Sequence, residues 1–176
     1  MKLILDFDDV LFKNTPEFKD WMFSRIEEAG IPRPEAEDLY KGDRASEFSL
    51  KNFLRKIFRG GEPGSIERLY EEIMEKCPEL INEEMAEKAR RAGKENCYLV
   101  TNGDKKFQED KINLSCVAPL FKEIIIVPNS KKKAVEEICE KNPGEEIFFY
   151  DNREEFFADL NFKKYPELKT VLYGRG

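Results

Sequence analysis

The sequence predicts an α/β protein, a doubly wound parallel sheet of about five strands with a small helical insertion. Three observations point there. Short apolar runs recur along the chain, each with the length and composition of a strand buried on both faces. Segments of helical period separate most of them, and alternating strand and helix folds as a parallel sheet with helices on both sides. After the first run, by contrast, about 80 residues keep a helical pattern with no strand among them.

The first strand is Leu3, Ile4 and Leu5, and it runs into Asp6, Asp8 and Asp9. Strand side chains alternate, so Asp6 and Asp8 are expected on one side and Phe7 on the other. Two acids held side by side repel unless a cation or a shared proton intervenes. The pair therefore costs stability and asks for a chemical reason.

A helix follows. Thr15 can cap it, Pro16 suits its first position, Phe18, Trp21, Met22, Ile26 and Ala29 share a face, and Gly30 closes it. The stiff connector 31–34 leads to a short helix through Ala36, Leu39 and Tyr40, ending near Gly42. Ser49 begins another, with Leu50, Phe53, Leu54, Ile57 and Phe58 in register until Gly60, Gly61, Pro63 and Gly64 break it. Those glycines lack the Gly-Lys-Ser/Thr ending of a nucleotide-binding loop. Ser65 is placed to cap a helix bearing Ile66, Leu69, Tyr70, Ile73, Met74 and Cys77. Residues 14–80 thus read as a helical insertion whose aromatic and methionine positions serve packing.

From Asn82 the character changes. A helix with Met85, Ala86, Ala89 and Ala92 ends at Gly93, and Cys97 to Val100 form a strand that runs into Thr101, Asn102 and Gly103. A helix around residues 107–112 leads to a strand at 123–127. Ser130 can cap the next helix, stopped by Asn142, Pro143 and Gly144, and the strand 146–150 delivers Asp151. Residues 153–162 are expected to be helical and 170–173 to form the last strand, with Arg175 and Gly176 a loose end. No internal repeat interrupts this order.

Composition narrows the chemistry. The chain has 176 residues, 40% of them hydrophobic, enough for one compact core and a modest insertion. With 36 acidic against 30 basic residues the net charge is -6, which argues against non-specific binding to nucleic acid or anionic membranes. No apolar run approaches the roughly 18 residues of a spanning helix and no signal peptide opens the chain, so a soluble, cytoplasmic protein is expected. The four cysteines are widely spaced, which favours free thiols over disulfides or a zinc site. Histidine is absent, which removes Ser-His-Asp and Cys-His catalysis. Chemistry here must run on carboxylates, lysine and hydroxyls, with or without a hard cation.

Four features fall at strand ends or a helix start: the Asp6/Asp8 pair, Thr101, the run Lys131-Lys132-Lys133, and Asp151. The carboxyl ends of strands near a topological switch point are where sites form in such sheets. Each feature alone has a bland reading, as a turn residue, a solvated helix start or a cap. Among the lysines, helical register chooses. Ala134, Val135, Ile138 and Cys139 mark the buried face, and stepping back three and four residues from Ala134 and Val135 lands on Lys131. Lys132 and Lys133 are expected nearer solvent.

The string Leu5-Asp6-Phe7-Asp8-Asp9-Val10-Leu11 resembles the first motif of the haloacid dehalogenase superfamily, an apolar strand followed by Asp-x-Asp-x-Thr/Val. Thr101 in Val100-Thr101-Asn102-Gly103 resembles the second motif, the lysine run the third and Asp151 the fourth. The order matches as well, across nearly the whole chain outside the insertion. A receiver domain also uses acids, Thr and Lys, but in another order.

The resemblance implies a Rossmann-like core from residues 1–13 and 81–176, with a C1-type helical cap from 14–80. It further implies magnesium-dependent transfer of phosphoryl groups. Asp6 would be the nucleophile and Asp8 the acid and base. Thr101 and the Asn102 backbone would hold phosphoryl oxygens, and Lys131 would offset charge. The implied Mg2+ ligands are Asp6, Asp151 and, through its backbone carbonyl, Asp8. Two departures stand out: Asp9 occupies a position where many relatives have Gly, and the fourth motif offers Asn152, Glu154 or Glu155 in place of an adjacent second acid.

Hydrolysis of a small phosphorylated metabolite is the leading expectation. A phosphomutase would share the nucleophile. A dehalogenase fits less well with Asp8 and Asp151, and a silent binding module of the same fold would not need the intact set. Lys13, Arg25, Arg33, Arg44 and Arg55 could meet an anionic substrate, although each also reads as solvated surface.

Overall fold

The protein is seen in a computed structural model that describes residues 1–43, 48–59 and 61–174; Arg44, Gly60, Arg175 and Gly176 lie outside these residues. Strands β1 (Lys2–Leu5), β2 (Cys97–Asn102), β3 (Glu123–Val127), β4 (Ile147–Asp151) and β5 (Leu168–Leu172) form one all-parallel sheet in the order β3-β2-β1-β4-β5. The chain steps outward from β1 through β2 to β3, then crosses back to β4 on the other flank of β1. That reversal makes the carboxyl end of β1 the switch point. Leu5 lies level with Leu99 of β2 and Tyr150 of β4, so the carboxyl ends of the three strands lie side by side.

Helices α1 (Lys19–Glu28), α2 (Arg33–Asp43), α3 (Leu50–Ile57) and α4 (Pro63–Met74) lie between β1 and β2. They are followed by α5 (Glu83–Ala92), α6 (Lys105–Leu114) and α7 (Lys132–Lys141). Alternation along β1 sorts the layers. Leu3 and Leu5 pack with Met85, Ala86 and Ala89 of α5 and with Phe107 and Ile112 of α6. Ile4 joins Tyr98, Val100 and Phe149 against Ala134, Val135, Ile138 and Cys139 of α7. Among the described residues no helix is long and apolar enough to cross a membrane. All four cysteines are free, and only Cys116 is exposed.

Several boundaries differ from expectation. Thr15 keeps extended backbone angles, and α1 begins only at Lys19. Thr15 donates its own N–H to Asp9 Oδ1 at 2.6 Å and so ties down the loop after β1. Ser65 lies inside α4, whose first residue is Pro63, a placement that uses proline's missing N–H where no partner exists. The last strand starts at Leu168, two residues early. Residues 153–162 hold only a short 3-10 turn, Glu154–Phe156, followed by further turns. The adjacent Phe156 and Phe157 are both buried, with Leu160, against the α7 side of the sheet. A regular α-helix would splay two neighbours about 100° apart.

The insertion is joined to the sheet by two short antiparallel connectors. Lys13 N–H donates to Leu80 O and Asn82 N–H to Leu11 O, both at 2.8 Å. Above this joint the apolar cluster of the insertion is continuous with that of the α5 and α6 layer. An aromatic row marks the continuity: Phe7 stacks on Phe12 at 5.0 Å, Phe12 meets Phe18 edge-on at 5.5 Å, and Phe107 contacts Phe18 at 6.2 Å and Phe48 at 5.9 Å. Phe12, fully buried, joins Phe7 to the rest of the row. Phe12→Ala is therefore expected to lower the unfolding free energy by about 3–5 kcal/mol in urea melts. A loss below about 1 kcal/mol would mean that the joint does not depend on this ring.

Candidate active site

Asp6 is the first residue past β1. Its N–H donates to Tyr150 O at 2.9 Å, extending the β1–β4 ladder by one step, and its own Oδ1 accepts the Phe7 N–H at 2.7 Å. Asp151 closes β4, with Oδ1 accepting the Arg153 N–H at 2.9 Å. Lys131 reaches both acids. Its Nζ lies 2.7 Å from Asp6 Oδ1 and 2.7 Å from Asp151 Oδ2, with the Phe156 ring 4.4 Å away. All three side chains are buried.

Register explains why Lys131 is the lysine that arrives. It precedes the first turn of α7 on the side of Ala134, Val135 and Ile138, which face the sheet. Lys132 turns instead to Glu136 and the Asp159 carbonyl, and Lys133 is 90% exposed beside Glu137. Ser130 stands one residue before the helix cap, and its hydroxyl accepts the Lys132 N–H at 3.1 Å.

Asp8 has a different environment. The chain does not continue as a strand; Leu11 and Phe12 N–H both donate back to Phe7 O, at 3.0 and 2.8 Å, and curl residues 7–12 into a tight loop. Within it Asp9 has φ 61, a left-handed angle that glycine adopts freely and Asp tolerates better than most residues. Asp8 Oδ1 accepts Lys111 Nζ at 2.6 Å and Oδ2 accepts Gln108 Nε2 at 2.8 Å. Neither partner was expected from the sequence. The signal was present, since Gln108 and Lys111 share the face of α6 that carries Phe107 and Ile112, two polar residues on an apolar stripe.

Thr101 sits near the end of β2, one register step beyond Asp6 on the neighbouring strand. It is buried, and among the described residues its Oγ1 has no hydrogen-bond partner. The Asn102 carbonyl accepts Gln108 Nε2 at 2.9 Å. Asn152 Nδ2 lies 3.5 Å from Asp9 Oδ2, while Glu154 and Glu155 are exposed. Arg25, Arg33 and Arg55 are engaged in surface ion pairs with Glu28 and Glu72, with Asp20 and Glu37, and with Glu67, and Lys13 is exposed. A groove of about 600 Å³ between α5 and the sheet is lined by none of Asp6, Asp8, Thr101, Lys131 or Asp151.

The Asp6 and Asp151 carboxylates share one ammonium, while the Asp8 carboxylate turns to α6. Among the described residues no three acidic or cysteine side chains gather to hold a metal. The carboxylates are divided between two ammonium groups, with Asp8 on Lys111 and the other two on Lys131. A hard divalent cation still fits the second group, since two buried carboxylates face one ammonium, the donors are oxygens, and one negative charge is left over.

The chain matches no protein-family model and no curated protein sequence. Solved structures are similar in fold. A protein of Burkholderia xenovorans LB400 assigned as a haloacid dehalogenase-like hydrolase aligns with a TM-score of 0.70 and 16% identity, over 96% of this chain and 81% of that one. One of Thermotoga maritima assigned as a beta-phosphoglucomutase aligns with a TM-score of 0.61 and 16% identity, over 100% and 88%. The HAD-hydrolase YfnB of Bacillus subtilis, in a magnesium-bound crystal form, gives a TM-score of 0.56 and 17% identity, over 96% and 84%. This chain has the fold of the haloacid dehalogenase-like hydrolases.

Burial pushes the Asp6 carboxyl up from 3.8 to about 6; Lys131 pulls it down, while Asp151 and Asp8 add to the rise. The folded chain thus holds a proton on Asp6 more tightly than the unfolded chain does. The contribution of Asp6 to the stability of the metal-free protein therefore falls as pH rises between 3.8 and about 6, with its full penalty above that window. Asp6→Asn removes this titration. Its unfolding free energy relative to wild type is expected to be more favourable at pH 7.5 than at pH 4 by about 2–3 kcal/mol, measured in urea with chelator. A difference that does not change with pH would show that Asp6 is not held up.

Proposed function

We propose that this chain is a magnesium-dependent phosphatase of haloacid dehalogenase type, hydrolysing a small phosphorylated metabolite through an aspartyl-phosphate on Asp6. Residues 1–13 and 81–176 form the catalytic core in this reading and residues 14–80 the cap. The observation that carries it is the pair Asp6 and Asp151 on the buried Lys131 at the switch point, with the Thr101 hydroxyl, unpartnered among the described residues, near the end of the adjacent strand β2. A buried hydroxyl without a partner is costly, and a phosphoryl oxygen is an acceptor of the right kind.

The chemistry follows from charge. An anionic carboxylate and a phosphate monoester repel, so positive charge must stand between them before in-line attack. Lys131 supplies one such charge. Asp6, Asp151 and the Asp8 carbonyl would hold magnesium, which when bound supplies further neutralisation of nucleophile and phosphate. A carboxylate oxygen of Asp6 forms a bond to phosphorus as the bond to the ester oxygen breaks. Asp8, carrying a proton at that stage, gives it to the departing oxygen. Water then attacks phosphorus, Asp8 takes its proton back, and inorganic phosphate leaves with the Asp6 carboxylate restored. Thr101 and the Asn102 backbone hold the phosphoryl oxygens through both steps.

Release of inorganic phosphate from p-nitrophenyl phosphate and a panel of phosphorylated metabolites, with and without magnesium, tests the reading. Release that requires magnesium is expected; transfer between positions of a sugar phosphate without net release would indicate a mutase. Asp6→Asn keeps the side-chain volume but not the anionic nucleophile, so turnover should drop by at least about a thousandfold with the fold intact. Residual activity within about tenfold of wild type would remove Asp6 from that role.

A further inference from the structure

We propose that Lys111 and Gln108 of α6 are positioning residues that hold the ionised Asp8 carboxylate for its role as base toward water, an inference that rests on the phosphatase reading. Both oxygens of Asp8 are gripped, one by each partner, at 2.6 and 2.8 Å. A carboxylate held at both oxygens has one orientation. Gln108 Nε2 also donates to Asn102 O at 2.9 Å, so the same amide references Asp8 to the end of β2, beside Thr101. Room for that amide comes from Gly103, where a Cβ would sit 3.1 Å from Gln108 Nε2 and where φ is +137.

Stability alone gives α6 little reason for this arrangement. The Lys111 side chain is 2% exposed and the Asp8 side chain 25%, so the acid reaches toward solvent while its anchor lies inside. Around the ammonium stand Phe107, Phe12 and Phe7, with ring centroids at 4.8, 5.3 and 5.4 Å. Such rings favour a cation, but they would pack a Met side chain equally well. Replacing a buried ion pair with apolar groups is commonly neutral or stabilising. Lys111 is the wrong residue for a core stripe and the right one for holding a single carboxylate in place.

The test compares wild type, Lys111→Met, Gln108→Met, Asp8→Asn and the Lys111→Met/Asp8→Asn double variant, with p-nitrophenyl phosphate and magnesium. Lys111→Met should lower kcat at least thirtyfold with KM within threefold of wild type, and Gln108→Met should lower kcat more than threefold. Lys111→Met added to Asp8→Asn should cost less than threefold further, because a residue acting through Asp8 has nothing left to position. Lys111→Met with kcat within threefold of wild type, or losses that simply multiply in the double variant, would overturn the proposal. Should Lys111→Met not fold, Gln108→Met decides by the same kcat criterion. An inactive wild type would count against the phosphatase reading. The crystal structure of Lys111→Met would then judge the clamp, with Asp8 expected to leave its present orientation and an unmoved Asp8 overturning it.

Discussion

Lys131 is the contact on which the rest of the arrangement depends. Asp6 and Asp151 end neighbouring parallel strands, and the β1–β4 register brings them to the same level of the sheet. Without a cation between them, two buried carboxylates at that spacing could not both stay ionised. Lys131 makes the pair tolerable, and it can do so only because α7 packs on the Ile4 and Phe149 face with the residue before its first turn over the strand ends. The crossover from β3 to β4, the burial of Ala134, Val135 and Ile138, and the charge balance at the switch point are thus one constraint. The neutralisation is incomplete, and the raised carboxyl of Asp6 expresses the remainder.

The helical insertion bears on the site through the same region of chain. Residues 7–12 turn from β1 into the first connector, so the loop that carries Asp8 also carries Phe7 and Phe12 into the aromatic row beneath the insertion. The row passes through Phe107 of α6, the helix that supplies Lys111 and Gln108. Tyr70 of α4 adds a hydrogen bond to Asp110 of α6 at 2.7 Å. Core layer, insertion and Asp8 therefore meet on one helix. Damage to its packing would be felt in all three.

Much of this was legible in the sequence because it rests on periodicity. The five strands, the helical stretch from 14 to 80 and the turn of Lys131 toward the sheet all follow from where apolar residues recur. What periodicity could not supply was local chain reversal. Alternation placed Asp8 beside Asp6, but the strand stops at Leu5 and a loop through Asp9 re-aims the side chain. Residues 153–162 carry enough apolar side chains for a helix, yet burying Phe156 and Phe157 together requires irregular turns. Ser65 was misplaced for a similar reason, since Pro63 is compatible with both a breaker and a first helical residue. Gln108 and Lys111 were hidden among the charged residues of α6, although their spacing from Phe107 and Ile112 marks them as inward.

The two ammonium groups divide the three acids in a way that matters for mechanism. In the proposed reaction Asp6 and Asp8 have opposite duties, one attacking as an anion and the other carrying a proton. Two carboxylates sharing a single cation repel and compete for it, so neither could be set independently of the other. Here Asp6 is buried with Asp151 around Lys131, whereas Asp8 is part-exposed on its own partner from another helix. Their environments are separate even though their positions in the sequence differ by only two. A tight loop after β1 achieves that separation, and the left-handed residue at Asp9 makes the loop tight enough. The geometric demand at position 9 and the chemical demand at positions 6 and 8 are on this view the same demand.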